Sequence, residues 1–359
     1  MMESKYRDLW VFAEQTDGVL APVVSQLLGE GARLLSSLDE ESKLCAVVCG
    51  SAADVNVATK ACFSYGADKV YGVTDENLKD YTTDGYTKAV CAAISEYEPD
   101  IMLYGATPLG RDLAPRVAAR LGLGLTADCT RLDIKADDYL NYLESETMSN
   151  VNDVEVGSLL LKQTKPSFGG KMLATMVCPS PRPQMATVRP GVMASPAPDN
   201  SLQGEIVTVD ADIKPQDIRV KVKGRTAIPG EHTNLTEADI IVAGGRGLGE
   251  ADGFNLLKEL ADAIGGVVAA SGAPVDADWI DEDLMIGQTG VIVKPKIYIA
   301  CGISGSIQHL AGIKDADTVI AINTDPAVPI FEVADYCIVG DLYEVVPALI
   351  EHWHEFITK

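Results

Sequence analysis

The sequence predicts an α/β fold in two lobes. One is an N-terminal α/β domain with a parallel sheet plus extra strands; the other is a C-terminal Rossmann-like domain on its own parallel sheet. Three observations carry this. Apolar runs of strand length alternate with segments of helical period as far as residue 121. Helical signal then disappears between residues 126 and 213, where short strand-like segments and prolines take over. The alternation resumes at residue 239. Residues 219–238 carry little apolar pattern and read as the connector, which gives domains at 1–225 and 226–359.

In the first lobe, residues 9–13 (LWVFA), 44–49, 69–73 and 101–104 are predicted strands. Helices are predicted over 23–38, 58–65, 85–97 and from Arg111 to Leu121, with Pro115 delaying the regular part of the last to about Leu113. Arg111, Arg116 and Arg120 could suggest a phosphate site. Asp112 stands four residues before Arg116, however, so a solvated, ion-paired face is the expected reading. The middle region offers short strands at 139–142, 158–161, 172–178 and 205–209. Four prolines between residues 179 and 193 rule out regular helix there. The last third reads strand 239–243, helix 254–264, strand 267–270, strand 297–301, a short helix, strand 318–322, strand 336–339 and a closing helix 342–356 containing Pro347.

Composition removes several function classes. The formal net charge of −23 over 359 residues disfavours nucleic acid and anionic membranes as partners. Hydrophobic content of 47% is enough for a substantial core. No apolar run is long enough to cross a bilayer, and residues 1–10 lack a signal-peptide core, so a cytoplasmic location is expected. The eight cysteines are scattered without a C-x-x-C pair, and the four histidines form no ligand spacing, so no metal site is expected.

The stretch 294–323 carries the most chemistry. A strand ends at Gly302, Gly302 and Gly305 bracket small residues, and Ile307, Leu310 and Ile313 follow at helical spacing. Such a turn brings backbone N–H groups and a helix N-terminus to one point. Five strand ends of this lobe finish in small or polar residues: Gly244-Gly245-Arg246, Ser271, Gly302-Ile303-Ser304, Asn323 and Gly340-Asp341. Ligands of open parallel sheets sit outside the carboxyl ends of strands, so these ends are expected to share one crevice. Arg246 would offset phosphate charge; Asn323 and Asp341 would take hydroxyl or amine groups. Asp341 is equally suited to cap the helix it precedes. Neither G-x-x-x-x-G-K-[ST] nor G-x-G-x-x-G occurs, and Ser304 has no evident relay partner.

The motifs GGRGL (244–248), GQTG (287–290), GISGSIQHLAG (302–312), AINTDPAVPIF (321–331) and ADY (334–336) closely resemble the FAD-binding lobe of the electron transfer flavoprotein alpha subunit. YGATPLGRDLAPRVAARL (104–121), TADCT (126–130) and RPQMATVRPGVM (182–193) resemble its N-terminal part, so the likeness covers nearly the whole chain in order, in the style of the anaerobic bacterial branch. The resemblance implies an FAD-holding subunit that pairs with a beta subunit through its N-terminal domain. It would pass electrons to or from acyl-CoA dehydrogenases or similar flavoenzymes, as a carrier and not a self-sufficient enzyme. In the anaerobic branch this can be part of NADH-dependent electron bifurcation. By motif position, Arg246, Ser271, Ile286, Gly287, Gln288, Thr289, Ser304, Gly305, Ser306, Ile307, Gln308, His309, Asn323 and Asp341 would line the FAD. The resemblance puts Thr289 at the flavin N5 edge and His309 near the C2 carbonyl as a donor. Two other readings share the lobe: a nucleotide-binding scaffold or regulatory module without redox turnover, and an NAD(P)-dependent dehydrogenase, against which the missing fingerprint counts.

One departure from the resemblance stands out. After the serine matching Ser271 the family usually carries an arginine beside the flavin, and here the residue is Gly272. A fixed guanidinium there would favour the flavin bearing one added electron and negative charge. Its absence predicts that the one-electron form is poorly stabilised. Spectroelectrochemical titration of the chain beside Gly272→Arg should show more of that form in the variant; equal yields would refute the expectation.

Overall fold

Apolar runs without alternation become the interior of parallel sheets, because helices cover both faces. The computed structural model describes residues 8–36, 42–134, 160–167, 172–178, 180–225, 235 and 238–357. It divides into two units, Met1–Ala227 and Ile228–Lys359. The first contains β1 (Leu9–Phe12), the small antiparallel pair β2 (Gln15–Thr16) and β3 (Val19–Leu20), α1 (Pro22–Leu35), β4 (Leu44–Gly50), α2 (Ala52–Ser64), β5 (Lys69–Thr74), α3 (Thr83–Tyr97), β6 (Ile101–Gly105) and α4 (Pro108–Leu121). Then follow β7 (Leu125–Cys129), β8 (Arg131–Ile134), β9 (Leu161–Ser167), β10 (Met172–Met176), β11 (Gln184–Val188) and β12 (Glu205–Val209). A seven-stranded sheet has the order β12-β5-β4-β1-β6-β11-β7, and its described pairings are parallel. The extra strands β10-β9-β8 form a separate antiparallel sheet.

The period of two along β1 builds two cores. Leu9 and Val11 pack with α1 and α2; Trp10 and Phe12 pack with α3 and α4. Five helix and strand expectations change. α2 starts at Ala52, six residues before the predicted start, because Ser51 caps it: its Oγ accepts from the Asp54 N–H at 3.3 Å. α4 starts at Pro108, since Thr107 Oγ1 accepts from the Gly110 N–H at 2.9 Å, and the helix carries Pro115 in its interior. The proline-rich run after residue 180 hides β11, whose five residues are all buried between β6 and β7. β7 and β8 were likewise not predicted as strands. The predicted strand at 139–142, the start of that at 158–161 and the Leu38 end of the first helix lie outside the described residues.

The second unit contains β13 (Ile240–Gly244), α5 (Gly253–Ile264), β14 (Val267–Ala270), the short α6 (Gly272–Asp276), β15 (Ile297–Cys301), α7 (Ile307–Ile313), β16 (Val319–Asn323), β17 (Tyr336–Val339) and α8 (Leu342–Ile357). All five strands are parallel, in the order β14-β13-β15-β16-β17. Numbered within the unit this is 2-1-3-4-5, a doubly wound sheet whose order reverses between β13 and β15. Val242 and Ile299 face α5 and α8, while Ile241, Ala243 and Tyr298 face the opposite core. No helix among the described residues is long and apolar enough to cross a membrane.

Of the eight cysteines, Cys45, Cys49, Cys62, Cys91, Cys129 and Cys301 are buried, Cys178 is half-buried and Cys337 is exposed. Burial pushes the Cys62, Cys129 and Cys301 thiols up to about 12 and Cys91 to about 11.

The arginine-rich face of α4 is ion-paired, though not as spaced. Asp112 accepts from the Tyr81 and Thr83 hydroxyls, both at 2.6 Å. Arg116 reaches Asp84 instead, at 3.5 Å, and Arg111 lies 3.9 Å from Asp128. Arg219 grips Asp84 with two donors, Nε at 2.9 Å and an Nη at 2.7 Å. These hydrogen bonds hold the Asp84 carboxyl down to about 2, against the desolvation that raises it. A depressed carboxylate contributes stability above its unfolded pKa of about 4 and loses it as pH falls toward the folded value. Arg219→Ala should therefore raise the Asp84 pKa in a carbon-detected NMR titration. The stability difference between wild type and variant should be present at pH 6 and vanish near pH 2.

Candidate functional site

The turns after β13 and β15 meet backbone to backbone. The Gly245 N–H donates to the Cys301 carbonyl at 2.9 Å, and the Gly247 N–H to the Gly302 carbonyl at 3.0 Å. A Cβ on Gly245 would lie 2.3 Å from the Gly302 oxygen, and one on Gly247 would lie 2.7 Å from the Gly302 Cα. Gly302 itself has φ +62°, in the left-handed region that glycine tolerates. Glycine is thus required by approach distance at two positions and by conformation at the third.

Where these turns meet, at the point of strand-order reversal, a cleft of about 740 Å³ opens. That is within the usual size of cofactor and small-molecule sites, about 300–1,000 Å³. Four of the five predicted strand ends reach it. Arg246 comes from the β13 turn, Ser271 from the end of β14, Ser304 from the β15 turn and Asn323 from the end of β16. Ile286, Gly287, Gln288 and Thr289 form another wall, and Ser306, Gln308 and His309 reach it from α7 and its cap. The wall segment is fastened on both sides: the Ile286 N–H donates to Ala270 O and the Gln288 N–H to Gln308 O, each at 2.8 Å.

Three predicted residues fall outside the lining. Gly305, with φ +86°, is buried against Ile330, whose N would sit 2.4 Å from an added Cβ. Ile307 points to solvent at 68% exposure. Asp341 caps the start of α8, accepting from the Tyr343 N–H at 2.9 Å. Its strand, β17, is the sheet edge, two strands from the reversal point, so the fifth strand end does not reach the cleft. Asn323 reaches it with its amide already engaged: Nδ2 donates to Ile303 O at 3.0 Å and Oδ1 accepts from the Asp325 N–H at 3.1 Å. Sequence reasoning also missed Gly247, Ala273, Asp276, Met285, Asp325 and Val328. Most are small or apolar residues with no polar signature; for Gly247 and Met285 the signal available was their position directly beside Arg246 and Ile286.

His309 is almost fully buried, and burial lowers its pKa, opposed by its hydrogen bond to the Ile286 carbonyl. Its Nδ1 lies 3.0 Å from Ile286 O and its Nε2 lies 3.0 Å from the Tyr298 hydroxyl. Both ring nitrogens thus have hydrogen-bond partners within the protein, while the residue also lines the cleft. Among the described residues lining the cleft, Arg246 is the one lysine or arginine, beside Asp276 and Asp325.

An electron transfer flavoprotein domain model matches residues 9–214, and an electron transfer flavoprotein FAD-binding domain model matches residues 234–314. The chain belongs to the electron transfer flavoprotein alpha-subunit family. It is 50% identical over 346 residues to the electron transfer flavoprotein subunit alpha of Thermoanaerobacterium thermosaccharolyticum, covering 96% of this chain and 97% of that one. The corresponding subunit of Clostridium acetobutylicum is 46% identical, covering 98% of each. The acryloyl-CoA reductase electron transfer subunit beta of Anaerotignum propionicum is 42% identical, covering 97% of this chain and 96% of that protein.

The cofactor of this family's C-terminal domain is FAD. The cleft suits it: the bare backbone of Gly245, Gly247 and Gly302 leaves close approach open, and Arg246 supplies the positive charge a pyrophosphate needs. Gly272 opens α6 on the cleft, and an added Cβ there would meet Met285 Sδ alone, at 3.6 Å. A Cβ at this position thus meets no clash, so the backbone itself tolerates Gly272→Arg.

Gly247→Ala should cost about 1–3 kcal/mol of stability, as overpacking against fixed backbone does. FAD affinity should fall with it, by about tenfold or more. Urea unfolding and flavin absorbance titration measure the two effects.

Proposed function

We propose that this chain is the FAD-holding half of an electron transfer flavoprotein heterodimer. The observation that carries this is the convergence of four strand ends on one cleft with a single arginine at its glycine turn. In this reading residues 1–225 pair with a beta subunit and residues 226–359 hold the cofactor. Bound FAD supplies the redox chemistry, accepting and releasing electrons singly or in pairs. The residues of this chain bind and orient it. Arg246 offsets phosphate charge, and the backbone of Gly247 and Gly302 admits the ligand. Ser271, Gln288, Thr289, Ser304, Ser306 and Gln308 offer hydrogen-bonding groups around it. Ile286 and Met285 provide an apolar surface, and Thr289 would offer its hydroxyl beside it.

The electron partner is an acyl-CoA dehydrogenase or a similar flavoenzyme in the cytoplasm. A relative named as the electron transfer subunit of an acryloyl-CoA reductase supports that class of partner. Participation in NADH-dependent bifurcation would require a second FAD and an NADH site on the beta subunit. The deciding experiment is an absorption spectrum of the purified chain, alone and with its beta subunit. Flavin bands that bleach on reduction and return on adding an acyl-CoA dehydrogenase support the carrier. A colourless, stably assembled complex that takes up no FAD would overturn it in favour of a nucleotide-binding scaffold.

A further inference from the structure

The segment after β12 does not leave the N-terminal unit where its apolar pattern ends. It runs back along α3, and its charged residues meet those of the helix one by one. Lys88 Nζ lies 2.7 Å from the Asp217 carboxylate. Arg219 grips Asp84 with two donors. Arg225 reaches Asp80 at 2.8 Å with one Nη, and both Asp17 oxygens at 3.2 and 3.3 Å with the other. Asp84 and Lys88 stand four apart and share one face of α3, with Asp80 just before the helix. Their partners run the opposite way along the chain, and the order of signs fixes one register. Sliding the segment one pair toward the helix end would set Arg219 against Lys88. Sliding it back would set Asp217 against Asp84. Both are like-charge contacts.

Arg225 also stands over a crevice. The strand order of the seven-stranded sheet reverses between β1 and β6. There a cavity of about 280 Å³ is lined by Gln15, which follows β1, and by Leu109, which follows β6. Val222 and Arg225 of the returning segment complete the lining, together with Asp17 and Asp80. In an open parallel sheet this is where a ligand enters, and here a guanidinium of the chain itself lies between two carboxylates.

We propose that residues 217–225 form an ionic strap, held along α3 in one register, that seats Arg225 over this crevice and makes it the residue at which the chain leaves the N-terminal unit. Held, the strap closes the crevice. Released, residues 220–225 add about 20 Å to the reach of the connector when extended. The pairs differ in exposure: Arg225 is 47% and Asp17 72% exposed, against 24% and 31% for Lys88 and Asp217. The strap therefore opens from its Arg225 end. It belongs to the first unit and is independent of what the second unit binds.

Trypsin reads the strap directly, because Arg219, Lys221, Lys223 and Arg225 are cleavage sites within it. The full chain is digested with limiting trypsin at low salt. Cleavage after each of these residues is timed by mass spectrometry against sites elsewhere in the chain. Asp80→Asn and Asp84→Asn leave the sequence that trypsin reads unchanged. Asp80→Asn should speed cleavage after Lys223 and Arg225 about two- to fivefold, the weight of an exposed ion pair, and leave the Arg219 site at the wild-type rate. Asp84→Asn should speed cleavage after Arg219 by a similar factor. Salt at about 1 M should erase the difference between wild type and variants. Wild-type rates in both variants overturn the strap. An Asp80→Asn effect that falls equally on the Arg219 and Lys223 sites overturns its register. Equal acceleration at every site of the chain is general loosening and overturns it as well. Asp80 is exposed and precedes the helix, so its variant still decides should Asp84→Asn fail to fold.

Discussion

The contact of Gly245 and Gly247 with Gly302 sets the geometry of the C-terminal unit's functional face. Two strand ends at the reversal point of a parallel sheet diverge into helices on opposite faces, and the gap between them is where a ligand enters. Here the two turns touch through backbone alone, with an added Cβ 2.3 Å from a carbonyl oxygen. Any side chain would push them apart and tilt what they carry: Arg246 on one side, Ser304 and the start of α7 on the other. The remaining walls are fixed to this pair. β14 brings Ser271, and the Met285–Val291 segment is tied to β14 and α7 by backbone bonds.

The architecture was legible where elements are long and periodic. β1, β4, β5, β6 and the five C-terminal strands announce themselves as apolar runs ended by glycine or polar residues. β11 did not. Its five residues, QMATV, look amphiphilic and follow a proline cluster, and their burial depends on neighbours far away in sequence. Helix starts were misplaced where a hydroxyl cap outweighs weak apolar periodicity, as at Ser51 and Thr107. In the site, residue type located the turns correctly but overestimated the number of free side chains. Asn323, Asp341 and His309 were read as ligand groups, yet the structure engages each of them with its own backbone or a buried hydroxyl. A polar residue at a strand end satisfies the local chain as readily as it awaits a ligand, and sequence does not distinguish the two.

The N-terminal unit has a parallel sheet with a reversal point of its own, between β1 and β6. There the two strand ends are bridged from within. Thr107, the cap of α4, donates to the Glu14 carboxylate at 2.5 Å, and burial raises the Glu14 pKa. A carboxylate supplied by the chain thus sits beside the helix start. Two sheets of similar construction differ in what stands at their switch points, bare glycine backbone in one and a carboxyl–hydroxyl pair in the other.

The burial of the cysteines bears on the company they keep. Cys301 closes β15 immediately before Gly302, one residue from the cleft, with its thiol pushed up to about 12. At neutral pH such a sulfur is a thiol and not a thiolate, so it neither attacks a reactive ring nor oxidises readily. The same holds for Cys62 and Cys129 in the first unit. A chain that handles electrons one cleft away from its own sulfur thus keeps that sulfur chemically silent. The exposed Cys337, on the edge strand, is the thiol that alkylating agents and oxidants meet first.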